Sequence, residues 1–592
     1  MSSSLQKLLL LVEPRRSSLE HQLQVQSIEQ LRETEHIVAE ALCAIRARIN
    51  DTLAINRLPP EILLYIFKAI TREAGYCLDP YLRPKERVST GALLALTHVC
   101  KKWRDVALNC PTLWTCIDNH KTDQMHAFLA RSRDVPVNVH LYADHLKQSA
   151  PFLARDGHRV KRLDITLRGE EFSDEHLGLH FRAPLLECFT VLGAGEGVVV
   201  PHSSIVRPLL AASCSNLQAL ALSNVNPGPI GFQYPRLTHL YLTHPGGVDR
   251  GRGVGRHNTY RLFDILAHTP ALQHLHVGKL DHWEAEPRAT NAIALPTLRS
   301  MTCSESRLEP ALRLLELLEL PRDALVRLEE LRCTVAEDHM RAYMFPSLAF
   351  FSSFTSLEVV SNGPDVQIIA QGPNSGFWMQ VRCMKLCNWT EWLSRLTAII
   401  PISGPSITFL KVLTYDHPVI SRLLAQLPVL VELSVYVDCG NFTHEDDVEC
   451  VMFELYDALT PGPNPCNPQL QVLTITYYAP GEPPCYAQEF VTMAARRAAA
   501  GHPLRKVNLD FGISTDPASG ICGRSEDVAT FRQAQEHVLE LLDIWDPPRP
   551  DTACEVDLDA RWALPEAQRW WRFPDDEQAS DSYNIMIPWR GW

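Results

Sequence analysis

The chain of 592 residues lacks any long apolar run. The longest apolar stretch near its start is Leu8–Val12, far short of the ~18 apolar residues that a membrane-spanning helix needs. No basic segment precedes these leucines and no clear small-residue cleavage site follows, so we expect no secretory signal and no membrane partner. Hydrophobic residues make up 46% of the chain and charged residues 21%, which excludes a wholly disordered chain, a collagen and a simple coiled-coil rod.

The chain also has fewer basic residues than acidic ones. Lysine and arginine total 56 against 69 acidic residues, which gives a formal net charge of −13. A negative chain does not attract phosphate backbones as a whole. The composition therefore predicts no nucleic-acid partner.

The sequence has no Cys-x-x-Cys pair, although it contains 17 cysteines. Cys383 and Cys387 are the closest suggestive pair, and no second pair at zinc spacing accompanies them. It also lacks a His-Glu-x-x-His motif, a Gly-x-Ser-x-Gly elbow and a Walker loop. We therefore expect reduced cysteines in a cytoplasmic or nuclear protein, with no metal, no cofactor and no catalytic site.

The length predicts three to five domains or one elongated repeat array. We expect residues 1–16 to be flexible and residues 17–52 to form a helix. Its apolar residues follow a heptad pattern, at Leu31, Val38 and Ile45 and at Ile28, Leu42 and Ile49. This short seam either pairs with another chain as a coiled coil or packs on the next domain, and the sequence leaves both open.

Residues 55–118 have the pattern of a small helical domain. Leu58-Pro59-Pro60-Glu61 opens a helix whose apolar stripe runs from Ile62 to Ile70, and a second helical pattern runs from Leu93 to Ala107. Residues 71–90 between them are polar and predict a loop. Leu113-Trp114 adds another apolar pair. Sixty residues cannot bury all these side chains, so an apolar surface for a partner is expected.

These segments resemble the F-box, in its F-box-like subfamily. The resemblance lies in Leu58–Phe67, then Val99-Cys100-Lys101-Lys102-Trp103-Arg104, then Leu113-Trp114. It implies docking on a Skp-family adaptor, and through that adaptor on a cullin–RING ubiquitin ligase. The 71–90 connection is longer than the family's usual one and could alter the partner surface. The residues expected at the adaptor interface are Leu58, Pro59, Pro60, Ile62, Leu63, Ile66, Phe67, Val99, Trp103, Leu113 and Trp114, with Phe67 and Trp103 the first candidates for core positions instead.

Residues 155–545 contain an irregular repeat of the form Leu-x-x-Leu-x-Leu. Its eleven anchors are Val160, Leu186, Leu217, Leu237, Leu272, Leu298, Leu328, Ile407, Leu430, Leu470 and Leu504. Six of them have a proline two residues earlier, where chance predicts roughly one and where a strand tolerates proline. Leu357 is a candidate for one degenerate unit in the long gap after Leu328.

Helical stretches precede several anchors, and strand, loop, helix and return every ~20–40 residues resembles a leucine-rich repeat. The fold class predicted is α/β: a small all-α F-box followed by an irregular leucine-rich-repeat-like solenoid. The asparagine ladder of a regular repeat is absent. Such solenoids bind on their strands, so the candidate target surface is Gln218, His239, Tyr241, His274 and His276.

Residues 546–592 are rich in tryptophan and are expected to form a cap or a partner-binding tail. The function predicted from these features is a substrate-recognition adaptor of a Skp–cullin–F-box type ubiquitin ligase, which performs no bond chemistry and binds an unknown protein substrate. The alternative is a repeat scaffold that binds a partner and recruits no ligase.

Overall fold

A computed structural model gives the fold. It describes residues 28–72, 90–168, 181–194, 209–210, 215–223, 233–243, 259–280, 292–333, 345–383, 392–402, 404–414, 417–438, 445–461, 467–478, 486–512, 530–543 and 566–571, without 347, 363, 364, 394 and 568. The predicted flexible N-terminus and most of the predicted 71–90 loop lie outside these residues.

The chain divides into two compact units. The first comprises Met1–Gly75, Arg83–Ile117 and Asp123–Val135, and the second comprises Tyr76–Leu82, Asp118–Thr122 and Pro136–Trp592. The sequence placed the start of the second region later, at residue 155, because the first strand and helix after Pro136 carry no repeat motif.

The described part of the first unit is helical, as predicted. Its helices are α1 (Ile28–Thr52), α2 (Pro60–Arg72), α3 (Gly91–Val99), α4 (Lys101–Leu108) and α5 (Thr122–Ser132). Two short 3₁₀ turns join them, at Ala54–Arg57 and Pro111–Trp114. Strand β1 (Cys116–Asp118) lies where the two units divide.

The single helix predicted from Leu93 to Ala107 is wrong. Cys100 interrupts it with extended backbone angles, φ −159° and ψ 170°. Its sulfur accepts a hydrogen bond from the Trp103 backbone N–H at 3.5 Å, so it caps α4 in the way that oxygen side chains usually do. The apolar residues of α3 and α4 continue one helical periodicity across Cys100, so periodicity alone could not show the break.

The second unit is a mixed α/β structure with one large, mostly parallel sheet. Its strands are β2 (Val137–Tyr142), β3 (Val160–Arg168), β4 (Cys188–Ala194), β5 (Ala219–Ser223), β6 (His239–Thr243), β7 (His274–Gly278), β9 (Ser300–Ser304), β11 (Leu325–Cys333), β12 (Ser356–Asn362), β13 (Asp365–Gln371), β14 (Gly376–Cys383), β15 (Phe409–Thr414), β16 (Glu432–Asp438), β17 (Val472–Tyr478), β18 (Lys506–Gly512) and β19 (Glu540–Asp543). The short strands β8 (Ile293–Ala294) and β10 (Leu318–Glu319) form a separate parallel pair.

Each strand from β2 to β6 pairs in parallel with the next one, β7 pairs with β9, and β9 pairs with β11. The motif leucines align across these pairs, as Leu220 does with Leu240 and Leu240 with Leu275. All three are buried. Because alternate residues of a strand point to opposite faces, the residues between them line the other face of the sheet.

Helices accompany these strands and lie close to where the apolar patterns predict them. They are α6 (Leu146–Asp156), α7 (Thr259–Ala267), α8 (Leu308–Glu316), α9 (Leu396–Ile399), α10 (His417–Gln426), α11 (Glu445–Leu459) and α12 (Ala487–Ala499). Helical stretches were predicted before several anchors, and α7, α8, α10, α11 and α12 lie before those at residues 272, 328, 430, 470 and 504.

The anchor assigned to Leu328 is wrong. Strand β11 aligns Val326 with Met301 and Leu328 with Cys303, so the motif in this strand begins five residues earlier than predicted. Leu357 lies in a strand of the long gap and aligns with Leu410 in the parallel pair β12–β15, which is the second motif position of that unit and not its anchor Ile407.

An antiparallel hairpin interrupts the parallel succession. Strand β11 pairs with β14, which continues through β13 to β12, and the succession resumes from β15 to β19. A uniform strand–helix repeat has no such hairpin, and much of the connecting chain lies outside the described residues. The predicted α/β class with a helical N-terminal region is confirmed. The leucine-rich-repeat solenoid is not confirmed, since the structure does not show one.

Candidate protein-interaction surfaces

Helix α2 has one buried and one exposed apolar face. Leu63 and Phe67, one turn apart, have no exposed surface. Ile62 and Tyr65, also one turn apart, are 48% and 74% exposed. Pro60 is the first residue of the helix, where its missing N–H leaves no hydrogen bond unmade. The helix therefore holds the unit together with one face and offers large apolar side chains on the other.

Asn56 fixes the segment that leads into α2. Its side-chain oxygen accepts a hydrogen bond from Trp103 Nε1 at 2.7 Å, and its Nδ2 donates to the Asn50 carbonyl at 2.8 Å. Lys102 Nζ donates to the carbonyl oxygens of Asn56 and Leu58, at 2.6 and 3.3 Å. Helix α4 thereby holds the Leu58-Pro59 segment in place against the start of α2.

Trp114 belongs to the core of the first unit. It has no exposed surface, and its Nε1 donates to the Ala107 carbonyl at 2.8 Å. Its ring meets that of Phe128 edge to face at a centroid separation of 4.9 Å, and the Arg131 guanidinium lies 4.4 Å from its centroid. The neighbouring Leu113 is also buried.

The structure divides the predicted adaptor-binding residues by exposure. Pro59, Pro60, Ile62 and Val99 are exposed, Leu58, Ile66 and Trp103 are half-buried, and Leu63, Phe67, Leu113 and Trp114 are buried. The Trp103 ring packs on Phe67 with centroids 5.1 Å apart. The buried members therefore belong to the core of the unit, and only the exposed and half-buried members are accessible to a partner.

Four exposed apolar residues in the described part of the same unit escaped the sequence analysis: Ile37, Leu53, Ile55 and Tyr65. Tyr65 could have been found, because it lies three residues after Ile62 and so shares its helix face. Helix α1 also leaves its heptad residues Val38, Leu42 and Ile45 exposed. Pairing of α1 with another chain stays a prediction.

The candidate target residues lie on and beside neighbouring strands. His239 aligns with His274 and Tyr241 with His276 across β6 and β7, with ring centroids 4.6 and 4.7 Å apart. Gln218 immediately precedes β5, and its carbonyl accepts the backbone N–H of His239 at 3.0 Å. His239 and His274 are largely buried. The five residues are therefore brought together, with less exposed surface than expected.

Burial lowers the pKa of the histidines of this face, because it disfavours the charged ring. It lowers the pKa of His274 to about 4, with the charges of His239 and Arg299 acting in the same direction. Burial and the nearby Arg327 lower the pKa of His276 to about 3. Both rings are neutral at pH 7, so they offer hydrogen bonds and stacking surface and no positive charge.

The described part of the C-terminal region contacts this same sheet. We name Glu566–Trp571 the tail segment. Its contacts are with residues of β3 to β6, including a hydrogen bond from His239 Nε2 to the Glu566 carbonyl at 2.7 Å. The sequence predicted a cap or a tail for residues 546–592 and gave no sign of where on the fold it would dock.

The described residues contain no cluster of three or more His, Cys, Asp or Glu side chains that could hold a metal ion. Within the same ranges no helix has the length and apolarity to cross a membrane. Free thiols are found at Cys43, Cys100, Cys110, Cys116, Cys188, Cys303 and Cys333, whereas Cys383 is disulfide-bonded, which departs from the expected reduced state.

One segment of the chain is similar to a known family. Residues 55–120 match the F-box-like family model. These residues include the start of α2, the break at Cys100 and the Leu113-Trp114 pair. A search of the curated proteins found no match to the chain.

Proposed function

We propose that this chain is a substrate-recognition adaptor of a Skp–cullin–F-box type ubiquitin ligase. The F-box-like match over residues 55–120 suggests an adaptor role. The observation that carries the proposal is the exposed apolar face of α2. Ile62 and Tyr65 there, and Val99 at the end of α3, are between 48% and 74% exposed. Large apolar side chains held outward by a packed core are typical of a protein-binding surface.

In this proposal the Skp-family adaptor contacts the Leu58-Pro59-Pro60 segment and the exposed face of α2, with Val99 at the margin. Leu63, Phe67, Leu113 and Trp114 act indirectly, because they pack beneath this surface. Asn56 and Lys102 set the position of the proline segment through the hydrogen bonds described above.

The second unit would bind the target. We propose that its parallel strands form a leucine-rich-repeat-like array, supported by the aligned buried leucines of β5, β6 and β7. The face between those leucines would hold the target near a ubiquitin-charged enzyme. The rate gain would come from proximity, so the chain itself needs no catalytic group. A cytoplasmic or nuclear location is part of this proposal.

The test is capture of a purified Skp-family adaptor by the full-length chain. Ile62→Asp places a charge on the exposed face of α2 without touching its core. We expect this change to weaken capture at least tenfold, because a desolvated charge at an apolar interface costs several kcal/mol. The matched control is Phe453→Asp, which changes a 57% exposed side chain of the second unit and should capture normally.

Capture by the wild type, lost in Ile62→Asp and retained in Phe453→Asp, would support the adaptor role. A folded wild-type chain that captures no Skp-family adaptor would overturn it. A repeat scaffold that recruits no ligase would then become the better interpretation. Addition of the cullin and RING subunits to a captured complex should further yield ubiquitin transfer to a bound target.

A further inference from the structure

The tail segment makes two hydrogen bonds to the sheet through its own backbone. Arg162 Nη1 of β3 donates to the Trp570 carbonyl at 2.7 Å, and His239 Nε2 of β6 donates to the Glu566 carbonyl at 2.7 Å. Carbonyl groups occur in every peptide. These two contacts therefore recognise a backbone of this conformation and place no demand on its side chains.

One side chain of the tail segment is held specifically. Trp571 is only 2% exposed, and its Nε1 donates to the Thr190 hydroxyl at 3.0 Å. The indole joins a cluster with Cys188 and Leu192 of β4 and Ala219 and Ala221 of β5. The two alanines are small where the neighbouring strands carry larger residues, which leaves room for a bicyclic ring on this face.

The covered face overlaps the candidate target surface. His239 hydrogen-bonds to the tail segment, and Tyr241 packs against the cluster that contains Trp571. His274 and His276 stack on these two residues from the next strand. The face that the repeat pattern marks for a target is thus partly occupied by the chain itself.

The fit of the tail segment is incomplete. Trp570 Nε1 is buried and has no hydrogen-bond partner among the described residues. Leaving a buried donor unpaired is unfavourable. Such a segment stays bound because it is tethered, since a tether replaces a bimolecular encounter by a high effective concentration. A better-fitting segment from another protein can then displace it.

We propose that the face of β3 to β6 is a peptide-binding site for a target segment that carries a tryptophan, and that the tail segment fills this site in the absence of target. This proposal rests on the proposed adaptor function for its biological role. Arg162 and His239 hold the target backbone, and the space above Ala219 and Ala221, with Thr190 at its edge, holds the indole.

The test uses a fluorescent peptide of residues 563–574 as the probe and full-length chains as receptors. In the Trp571→Ala chain the tail has lost its anchor, so the site is open. We expect this chain to bind the probe at least tenfold more tightly than the wild type does. A probe in which the tryptophan equivalent to Trp571 is alanine should not bind. Phe453→Ala, an exposed aromatic change elsewhere in the second unit, should match the wild type.

A second change tests the pocket itself. Adding Ala221→Leu to the Trp571→Ala chain should abolish probe binding, because the larger side chain takes the space of the indole. Ala221 alternates with the core residues Leu220 and Leu222, so the leucine core stays unchanged. Equal probe binding with and without Ala221→Leu would overturn the assignment of the site.

Failure of the Trp571→Ala chain to bind the probe, with a thermal transition like that of the wild type, would also overturn the proposal and leave the tail segment as a structural cap.

If Trp571→Ala does not fold, a specific protease site inserted at Pro550 cuts the tether of the otherwise wild-type chain. The released fragment should then dissociate on dilution and rebind on concentration; a fragment that never leaves would overturn the proposal. Skp-adaptor capture by the same chains keeps the two proposals apart, since loss of capture with retained probe binding overturns only the ligase role.

Discussion

Trp571 donates its indole hydrogen to the hydroxyl of Thr190, although 381 residues separate them in sequence. Thr190 is fully buried in this arrangement. The bond joins the C-terminal region to one of the first strands of the sheet. The entropic cost of closing a loop grows only slowly with the length of the loop. A few well-placed hydrogen bonds can therefore hold the tail segment on the sheet despite the long intervening chain.

Thr190→Val should loosen the tail segment without removing its pocket. Valine keeps the shape of threonine and removes the acceptor, so docking should weaken by about 1 kcal/mol, or roughly fivefold in the undocked fraction. Hydrogen exchange of the tail amides measures this change. Thr408→Val, at an exposed threonine of the same unit, should leave the tail exchange rate unchanged. Equal rates in all three chains would mean that the bond contributes nothing.

Asn56→Ala should destabilise the first unit by about 1–3 kcal/mol. The change removes the acceptor of Trp103 Nε1 and the donor to the Asn50 carbonyl, and leaves buried groups unpaired. The unfolding transition of the first unit, followed by denaturant titration, should shift to lower denaturant concentration. Asn109→Ala, where an exposed asparagine bonds to the Asp105 carbonyl, is the control and should shift it by less than about 0.5 kcal/mol.

Arg497→Leu should destabilise the second unit by about 2–4 kcal/mol, because the buried guanidinium donates to the carbonyl oxygens of Leu459 at 3.0 Å and Asn467 at 3.1 Å. The side chain is 1% exposed, and burial lowers the pKa of its guanidinium. Leucine fills part of the space but leaves both carbonyls without a donor. Arg496→Leu, at the exposed neighbouring position, is the control. Similar unfolding midpoints for both variants would contradict this account.

The second unit should lose stability as the pH falls below about 6.5. The pKa of His274 is about 4 and that of His276 about 3 in the folded chain, against about 6.5 when unfolded. Below pH 6.5 the unfolded chain therefore binds protons that the folded chain does not, and unfolding becomes easier until the pH reaches the folded pKa values. Urea midpoints at pH 7.0, 5.5 and 4.5 measure the loss.

His274→Gln should make this pH dependence shallower, since one of the two contributing rings is gone. Its partner Ser300, which lies 2.8 Å from His274 Nδ1, can still bond to the glutamine amide. His158→Gln, at an exposed histidine, should follow the wild-type curve. A wild-type midpoint that stays constant from pH 7.0 to 4.5 would contradict the prediction.

Local pattern predicted most of the secondary structure of the second unit. Leu240 and Leu275 could be placed on neighbouring strands because each follows a proline-marked anchor and alternates with polar residues. Leu328 was misplaced because Val326, Leu328, Leu331 and Cys333 are all buried, on both sides of a register shift between Leu328 and Leu331. The local apolar pattern therefore fits the motif in either half of the strand. Only the pairing with β9 fixes its register. The sequence analysis also missed the antiparallel strand β13, since the direction of a strand is decided by the strands that it pairs with, here β12 and β14.

The binding surfaces were less accessible to sequence reasoning. Leu63 and Ile62 are adjacent apolar residues of one helix, and only the packing of α2 on its neighbours decides that the first is core and the second surface. The tail segment was beyond prediction altogether. No feature of the sequence near Trp571 indicates a contact with Thr190, because the pocket is formed by residues of β4 and β5.

The hairpin formed by β12, β13 and β14 has a consequence for the order in which the protein assembles during synthesis. Strand β11 takes its second neighbour from β14, which leaves the ribosome after β12 and β13. Until then β11 ends the growing sheet as an open edge, the kind of edge to which other chains add. The first half of the sheet therefore keeps this edge open until about fifty further residues, up to Cys383, have been made.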